Sequence, residues 1–185
     1  PKYAVINNIE YDHVDYFKTF DDYKKAFENF ANQVKDTVII WGDDPYLPKL
    51  DIKTRKISFG LGEKNDVRAI HYLAGEHGMS FDVIIHGEVF GHFNLPFFGQ
   101  HMLQNALACI ALGYLEGMDA SYINERLASF PGVKRRYTVK EIGNNIYVDD
   151  YAHHPTAIRM VINATRERYP HKKIVALFKP DRFSR

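Results

Sequence analysis

Apolar residues near the start of the chain follow two spacings, and each spacing predicts a different element. The runs 3–6 and 38–41 are short and almost wholly apolar, which is typical of buried strands. Between them, residues 20–34 carry apolar side chains three and four positions apart, which predicts an amphipathic helix. Thr19 and Asp22 stand where a helix N-cap and its N3 partner belong. We therefore expect a strand, a helix and a second strand in that order.

From about residue 55 to residue 98 the pattern changes to short stretches separated by turn residues. Four strands are predicted there, and together they indicate a small antiparallel sheet: 56–59, 67–73, 80–85 and 88–95. Apolar residues at helical spacing then predict a helix over 103–114 that ends at Gly117. A shorter helix is expected over 121–129.

Residues 130–133 read Phe-Pro-Gly-Val and interrupt the pattern, after which strands and helices alternate again. We predict a hairpin from 137–142 and 145–148, a helix with Pro155 in its first turn, and a strand over 173–178. This alternation indicates the α/β class. A domain boundary is expected near Val133, which divides the chain into residues 1–132 and 133–185.

Composition narrows the classes of partner. The chain has 185 residues, of which 45% are hydrophobic, so it can bury a substantial core. Its net charge of +1 comes from mixed acidic and basic residues, which argues against binding nucleic acid or an anionic membrane surface. One cysteine and the absence of an apolar run near the ~20 residues of a membrane span favour a cytoplasmic protein. Because it begins at Pro1 and stops shortly after a predicted strand, we expect it to be a piece of a longer protein.

The stretch 149–156 is the strongest candidate for chemistry. It brings two carboxylates, a phenol and two imidazoles together: Asp149, Asp150, Tyr151, His153 and His154. The stretch lies between a predicted strand and a predicted helix, which is where ligands bind in open α/β sheets. A helix cap would account for one aspartate but not for the remaining groups. We therefore favour a ligand site over a purely structural turn.

Three other segments allow both a functional and a plain structural interpretation. The run 12–15, Asp-His-Val-Asp, could bind Mg²⁺ or another divalent ion, or it could be a polar loop that enters a helix. The basic run 134–136 suits a nucleotide phosphate, although a solvated charge run has the same composition. Residues 100–105 open a helix, where free N–H groups could meet a nucleotide or could simply be capped.

Taken in order, these segments resemble the Mur ligases of peptidoglycan synthesis, and among them the alanine-adding branch. The matching runs are 8–17 (NIEYDHVDYF), 99–101 (GQH) with 105–106 (NA), 130–137 (FPGVKRRY), 149–156 (DDYAHHPT) and 178–185 (FKPDRFSR). The resemblance implies the latter part of a central ATPase domain, with a small antiparallel sheet, followed by the start of a Rossmann-like C-terminal domain. The missing domains would belong to the same parent chain.

The resemblance also implies a reaction and its participants. ATP phosphorylates the carboxylate of UDP-N-acetylmuramate, and the amine of L-alanine attacks the acyl phosphate. ATP and Mg²⁺ are the implied cofactors. Because the phosphate-binding loop and the UDP-binding domain would be missing, we expect the isolated chain to be inactive.

Individual positions take on expected roles through the same resemblance. His13 is similar to a Mg²⁺-binding histidine, His101 and Asn105 to adenine-side contacts, and Asp150 to a ribose-contacting aspartate. Arg136 is similar to an arginine that binds the γ-phosphate. The family also has residues in its C-terminal domain that face the nucleotide and the muramoyl substrate. Four positions of this chain are similar to them: Tyr151, His153, Arg182 and Arg185.

Two functions from other classes compete with this interpretation. The first is a metal-dependent hydrolase that uses Asp12, His13 and Asp15 together with His153 and His154. The second is a nucleotide-binding module without catalysis.

Overall fold

The computed structural model describes residues 1–75 and 77–179, and within them most predicted elements are present. The strands are β1 Tyr3–Ile6, β2 Thr37–Trp41, β3 Arg55–Gly60, β4 Val67–Gly75, β5 Gly78–Ile85, β6 Glu88–Leu95, β7 Thr138–Ile142 and β8 Asn145–Asp149. The helices are α1 Phe20–Ala31, α2 Gln100–Leu115, α3 Ala120–Ala128 and α4 Pro155–Arg168, with a 3-10 turn at Leu47–Lys49. No helix among these residues is long and apolar enough to cross a membrane.

Strands β1 to β6 form one sheet in chain order. The pairs β1–β2, β2–β3 and β3–β4 are parallel, whereas β4–β5 and β5–β6 are antiparallel. The predicted antiparallel strands are therefore present, and they continue the parallel sheet. Strand β3, which we had expected in the antiparallel group, instead pairs parallel with β2 and β4. Its pairing with β4 is limited to Phe59–Val67 and Gly60–Arg68, so the short loop 61–66 can join them.

Strand β2 is covered on both faces. Ile39 belongs to the apolar cluster that includes α2 and α3, while Val38 and Ile40 belong to a second cluster that includes the end of α1 and the 3-10 turn. Successive side chains of a strand point to opposite faces, so neighbouring residues enter different cores. This explains why the run carries apolar residues at every position instead of at alternate ones.

The ends of the helices follow the local sequence. Helix α1 has the predicted capping box, since the Thr19 hydroxyl accepts a bond from the Asp22 N–H and the Asp22 carboxylate accepts one from the Thr19 N–H. Helix α2 ends at Leu115, and Gly117, just past the C-cap, has a φ of 73°. The N–H groups of Gly117 and Met118 donate to the carbonyls of Tyr114 and Gly113, a Schellman motif that a left-handed glycine makes possible.

The C-terminal part of the described chain, residues 133–179, consists of the β7–β8 hairpin and α4. The strand expected over 173–178 is not formed, and Val175 and Leu177 are largely exposed. A strand requires a hydrogen-bonded neighbour, and within the described residues β8 is bonded to β7 alone. An apolar run does not become a strand without such a partner. The proposed division at Val133 stays a prediction.

The capping box of α1 should contribute measurably to stability. Thr19→Ala should lower the free energy of unfolding by about 1 kcal/mol, because it leaves an N-terminal N–H of α1 without an acceptor. Thr19→Ser keeps the hydroxyl and is the matched control. Urea unfolding of the three proteins measures the difference, and equal stability of the alanine and serine variants would contradict the assignment.

Candidate functional site

The loop after β1 lies at the carboxyl edge of the parallel strands and touches α2. The Asn7 side-chain amide donates to Oδ1 of Asn105 over 3.2 Å. The Ile9 N–H donates to the Asp44 carboxylate, which lies in the turn after β2, over 3.1 Å. These two bonds hold the loop between the second turn of α2 and the end of the neighbouring strand.

The same loop also reaches α4 through Glu10. The Thr156 hydroxyl donates to one carboxylate oxygen of Glu10, and Nδ1 of His154 lies 3.1 Å from the other. The 3.1 Å contact is close to a hydrogen bond in length, but its angles leave the ring nitrogen without a regular partner. Three segments distant in the chain therefore meet here: the β1 loop, the start of α2 and the start of α4.

Asp150 orders the backbone of the stretch 149–156. Its Oδ2 accepts from the Tyr137 N–H over 2.8 Å, and its Oδ1 accepts from the Ala152 N–H over 2.6 Å. The Tyr151 N–H donates to the carbonyl of Arg135 over 3.0 Å. The carboxylate thus joins the beginning of the hairpin to the residues that follow its end.

The arginine–tyrosine cluster consists of Arg135, Arg136, Tyr151 and His153. The guanidinium carbons of Arg135 and Arg136 lie 5.2 and 5.9 Å from the centre of the Tyr151 ring, within the range of a cation–π interaction. The His153 ring meets the Tyr151 ring edge to face at 5.1 Å, and its Nδ1 lies 2.9 Å from the Tyr151 carbonyl. Both arginines are exposed, so two cationic forks are available to an anion.

His101 lies in the first turn of α2, in a desolvated position. Burial lowers its pKa, and the negative charges of Asp150 and Glu167 act in the opposite direction. Its Nδ1 is buried and has no hydrogen-bond partner within the described chain. The structure therefore places His101 and Asp150, both predicted nucleotide contacts, within electrostatic reach of each other.

His13 is exposed and has a φ of 56°, in the left-handed region. Its N–H donates to the Asp12 carboxylate over 2.7 Å. Among residues 1–75 and 77–179, no group of three or more His, Cys, Asp or Glu side chains is placed to hold a metal ion. His13 therefore offers one ligand, and the described residues do not complete a Mg²⁺ site around it.

The structure assembles most of the predicted residues on two neighbouring surfaces. His101 and Asn105 lie on α2. Asp150, Tyr151 and His153 lie between β8 and α4, and Arg136 lies just before β7. Arg182 and Arg185 fall outside the described residues. Glu10 and Glu167 contact residues far away along the chain, 146 positions for Thr156 and Glu10 and 68 for Gly99 and Glu167, so no local spacing in the sequence marks their roles.

Comparison with known proteins adds independent findings. Residues 1–113 match the Mur ligase middle domain, and residues 135–183 match the domain described as Mur ligase, glutamate ligase domain. UDP-N-acetylmuramate–L-alanine ligases from Lacticaseibacillus casei and Leuconostoc citreum are both 44% identical to this chain over its whole length. The chain spans 42% of the length of these relatives.

Two solved structures have a similar fold. MurC from Thermotoga maritima is 29% identical with a TM-score of 0.82, and the match covers 97% of this chain and 41% of that one. MurF from Acinetobacter baumannii is 24% identical with a TM-score of 0.79, and it covers 90% of this chain and 38% of that one. At that identity the second likeness concerns the fold alone.

The environment of His101 predicts its titration. Since burial disfavours the imidazolium, His101 should titrate below 6.5, and native stability should fall as the pH drops below 6.5, where the unfolded chain takes up the proton first. Asp150→Asn should lower the pKa further, because it removes a negative charge that favours the imidazolium.

Asp149→Asn is the matched control, since this neighbouring aspartate is exposed. An NMR titration of the histidine ring protons measures all three proteins. An unchanged His101 pKa in Asp150→Asn, or an equal shift in both variants, would contradict the electrostatic coupling.

Proposed function

Because the chain belongs to the Mur ligase family, we propose that its parent is the ATP-dependent ligase that joins L-alanine to the carboxylate of UDP-N-acetylmuramate in peptidoglycan synthesis. The names of the relatives that are 44% identical over the whole chain support this substrate pair. The chain spans 42% of their length, so the reaction is proposed for the parent, with the chain alone expected to be inactive. A cytoplasmic location stays a prediction.

One observation carries the proposal: the β1 loop meets the start of α2 and the start of α4, the two helices beside which the predicted nucleotide contacts lie. An acid–amine ligase must bring ATP, a carboxylate and an amine together, and reacting atoms held in place react far faster than free ones. A site built from both parts of the chain suits this requirement, because it can close around several substrates.

The chemistry divides into two displacements. A carboxylate oxygen of the muramate bonds to the γ-phosphorus of ATP and ADP leaves; the alanine nitrogen then bonds to the acyl carbon and phosphate leaves. Both steps develop negative charge on oxygen, which fixed cations stabilise. Arg136 is our candidate for the γ-phosphate contact, and Arg135 is beside it over the same tyrosine ring.

The nucleotide contacts proposed for the other residues must fit the bonds already present. His101 and Asn105 would flank the adenine from α2. Asp150 would meet the ribose through its remaining lone pairs, since each of its oxygens already accepts one backbone bond. Tyr151 and His153 would face the phosphates and the muramoyl group, and we propose the same role for Arg182 and Arg185.

Mg²⁺ would offset charge on the transferring phosphoryl group, and His13 is our candidate for one of its ligands. The remaining ligands would come from the phosphates and from parts of the parent outside this chain, because the described residues form no group of three ligating side chains. The same finding disfavours the hydrolase alternative, which needs the 12–15 run and the histidines of 153–154 around one metal. A non-catalytic nucleotide-binding module is also not favoured, since the matched relatives are named as ligases.

Phosphate release tests the proposal directly. The parent should release phosphate only when ATP, UDP-N-acetylmuramate and L-alanine are all present, and the isolated chain should release none. Preference of the parent for a different amino acid would overturn the assignment. Turnover by the isolated chain would overturn the expectation that the missing domains are required.

Arg136→Ala in the parent should lower kcat/KM by about a hundredfold, the effect of losing one donor to developing charge. Arg159→Ala is the matched control, because Arg159 is an exposed arginine of α4 outside the proposed site. The coupled phosphate assay measures both, and equal losses in the two variants would remove Arg136 from the site.

A further inference from the structure

Helices α2 and α4 both begin without an acidic residue of their own in the first turn. Their N-caps are Gly99 and His154, and neither makes a side-chain capping bond. The N3 positions, where a capping box has Glu or Gln, hold Met102 and Ala157. Helix α1, in contrast, has Asp21 and Asp22 in its first turn and a complete capping box.

Each of the two helices instead receives a carboxylate from the other part of the chain. Glu167, near the end of α4, accepts from the Gly99 N–H at the start of α2 over 3.0 Å. This is the bond that an N3 glutamate makes in a capping box, here supplied from a distant segment. Glu10, from the β1 loop, accepts from the Thr156 hydroxyl and lies beside His154 at the start of α4.

Both positions are electrostatically favourable. The N-terminus of a helix has a partial positive charge, which an anion stabilises. Glu167 also accepts a hydrogen bond from the Tyr72 hydroxyl on β4. Burial of the Tyr72 side chain raises its pKa most, and the bond to Glu167 raises it further. Glu167 is therefore tied to the sheet as well as to α2.

The two contacts define how α4 lies on the N-terminal part. Thr156 and Glu167 are eleven positions apart, which is about 16 Å along a helix at 1.5 Å per residue. Between them, Ala164 is fully buried. A Cβ on Gly99 would lie 2.8 Å from that of Ala164, so only glycine permits this approach. The helix is thus held near both ends and packed in the middle.

We propose that Glu10 and Glu167 are reciprocal caps between the two parts of the chain, each supplying the first-turn acid that the other part's helix lacks. Glu167 does so through the Gly99 N–H of α2, and Glu10 through the Thr156 hydroxyl at the start of α4. Together they hold α4 on the N-terminal part. Their consequence is positional. Tyr151 and His153 directly precede α4, and Arg135 and Arg136 lie over the Tyr151 ring, so fixing α4 fixes Tyr151 and Arg136 relative to His101. Only this last step, the link to nucleotide binding, rests on the proposed function.

Distance measurements between spin labels test the proposal on the 185-residue chain. One label is placed on native Cys109 of α2 and one on Asn163→Cys of α4, both exposed positions. The doubly labelled protein with Glu10 and Glu167 intact should give one narrow distance distribution. The separated population is the fraction of molecules in which the two labels are farther apart than in this distribution. Glu10→Ala combined with Glu167→Ala should raise it at least about tenfold, because each change removes a charge-assisted contact. Glu141→Ala, an exposed glutamate of the hairpin, is the matched control.

A second variant separates the interdomain role from simple helix stability. Ala157→Glu gives α4 its own N3 acid, which should keep the helix intact by circular dichroism while its charge repels Glu10. We expect the separated population to rise in this variant too. An unchanged distance distribution in Ala157→Glu and in the double alanine variant, or an equal change in Glu141→Ala, would overturn the proposal.

Calorimetric titration with ADP distinguishes the caps from the proposed nucleotide site. Binding by the background protein that weakens at least tenfold in the double alanine variant would support the positional role. If separation leaves ADP affinity unchanged, that role is wrong. If neither the background protein nor any variant binds ADP, the proposed nucleotide contacts of this chain are wrong. The label distances still decide whether Glu10 and Glu167 are caps.

Discussion

The burial of β2 on both faces is the constraint on which the rest of the structure depends. Ile39 packs toward α2 and α3, and Val38 and Ile40 pack toward α1, so one strand anchors two cores. Parallel neighbours on each side place the ends of β1 and β2 at the same edge. The β1 loop therefore lies beside the start of α2 and the turn after β2, and every candidate contact of the N-terminal part follows from that edge.

Charge at this edge is arranged so that most carboxylates are already engaged. Asp150 binds two backbone N–H groups, and Glu10 and Glu167 bind across the two parts of the chain. The arginines over Tyr151 are exposed instead. Acidic groups thus organise the backbone, and cationic groups are presented to solvent, an arrangement that suits an anionic ligand such as a nucleotide phosphate.

Local chemistry decided the elements that sequence analysis predicted well. The capping box at Thr19 and the left-handed Gly117 are formed by residues within a few positions of each other, so their signals are legible in the sequence. The run 173–178 had an equally clear apolar pattern, yet it forms no strand in the described structure. An apolar pattern indicates that a segment tends to be buried. To form a strand, the segment also needs a hydrogen-bonded neighbour, and the local sequence does not contain one.

By itself, the sequence determined the α/β alternation, the helix ends, the resemblance to the Mur ligases and the residue types at the candidate site, because propensity, capping and motif spacing are local properties. Tertiary structure alone decided that the antiparallel strands continue the parallel sheet, that His101 lies within electrostatic reach of Asp150, and that Glu10 and Glu167 reach helices of the opposite part. These contacts join residues far apart in the chain. No spacing along the sequence encodes them, because they depend on how the helices and strands pack and on which side chains each one directs toward its neighbours.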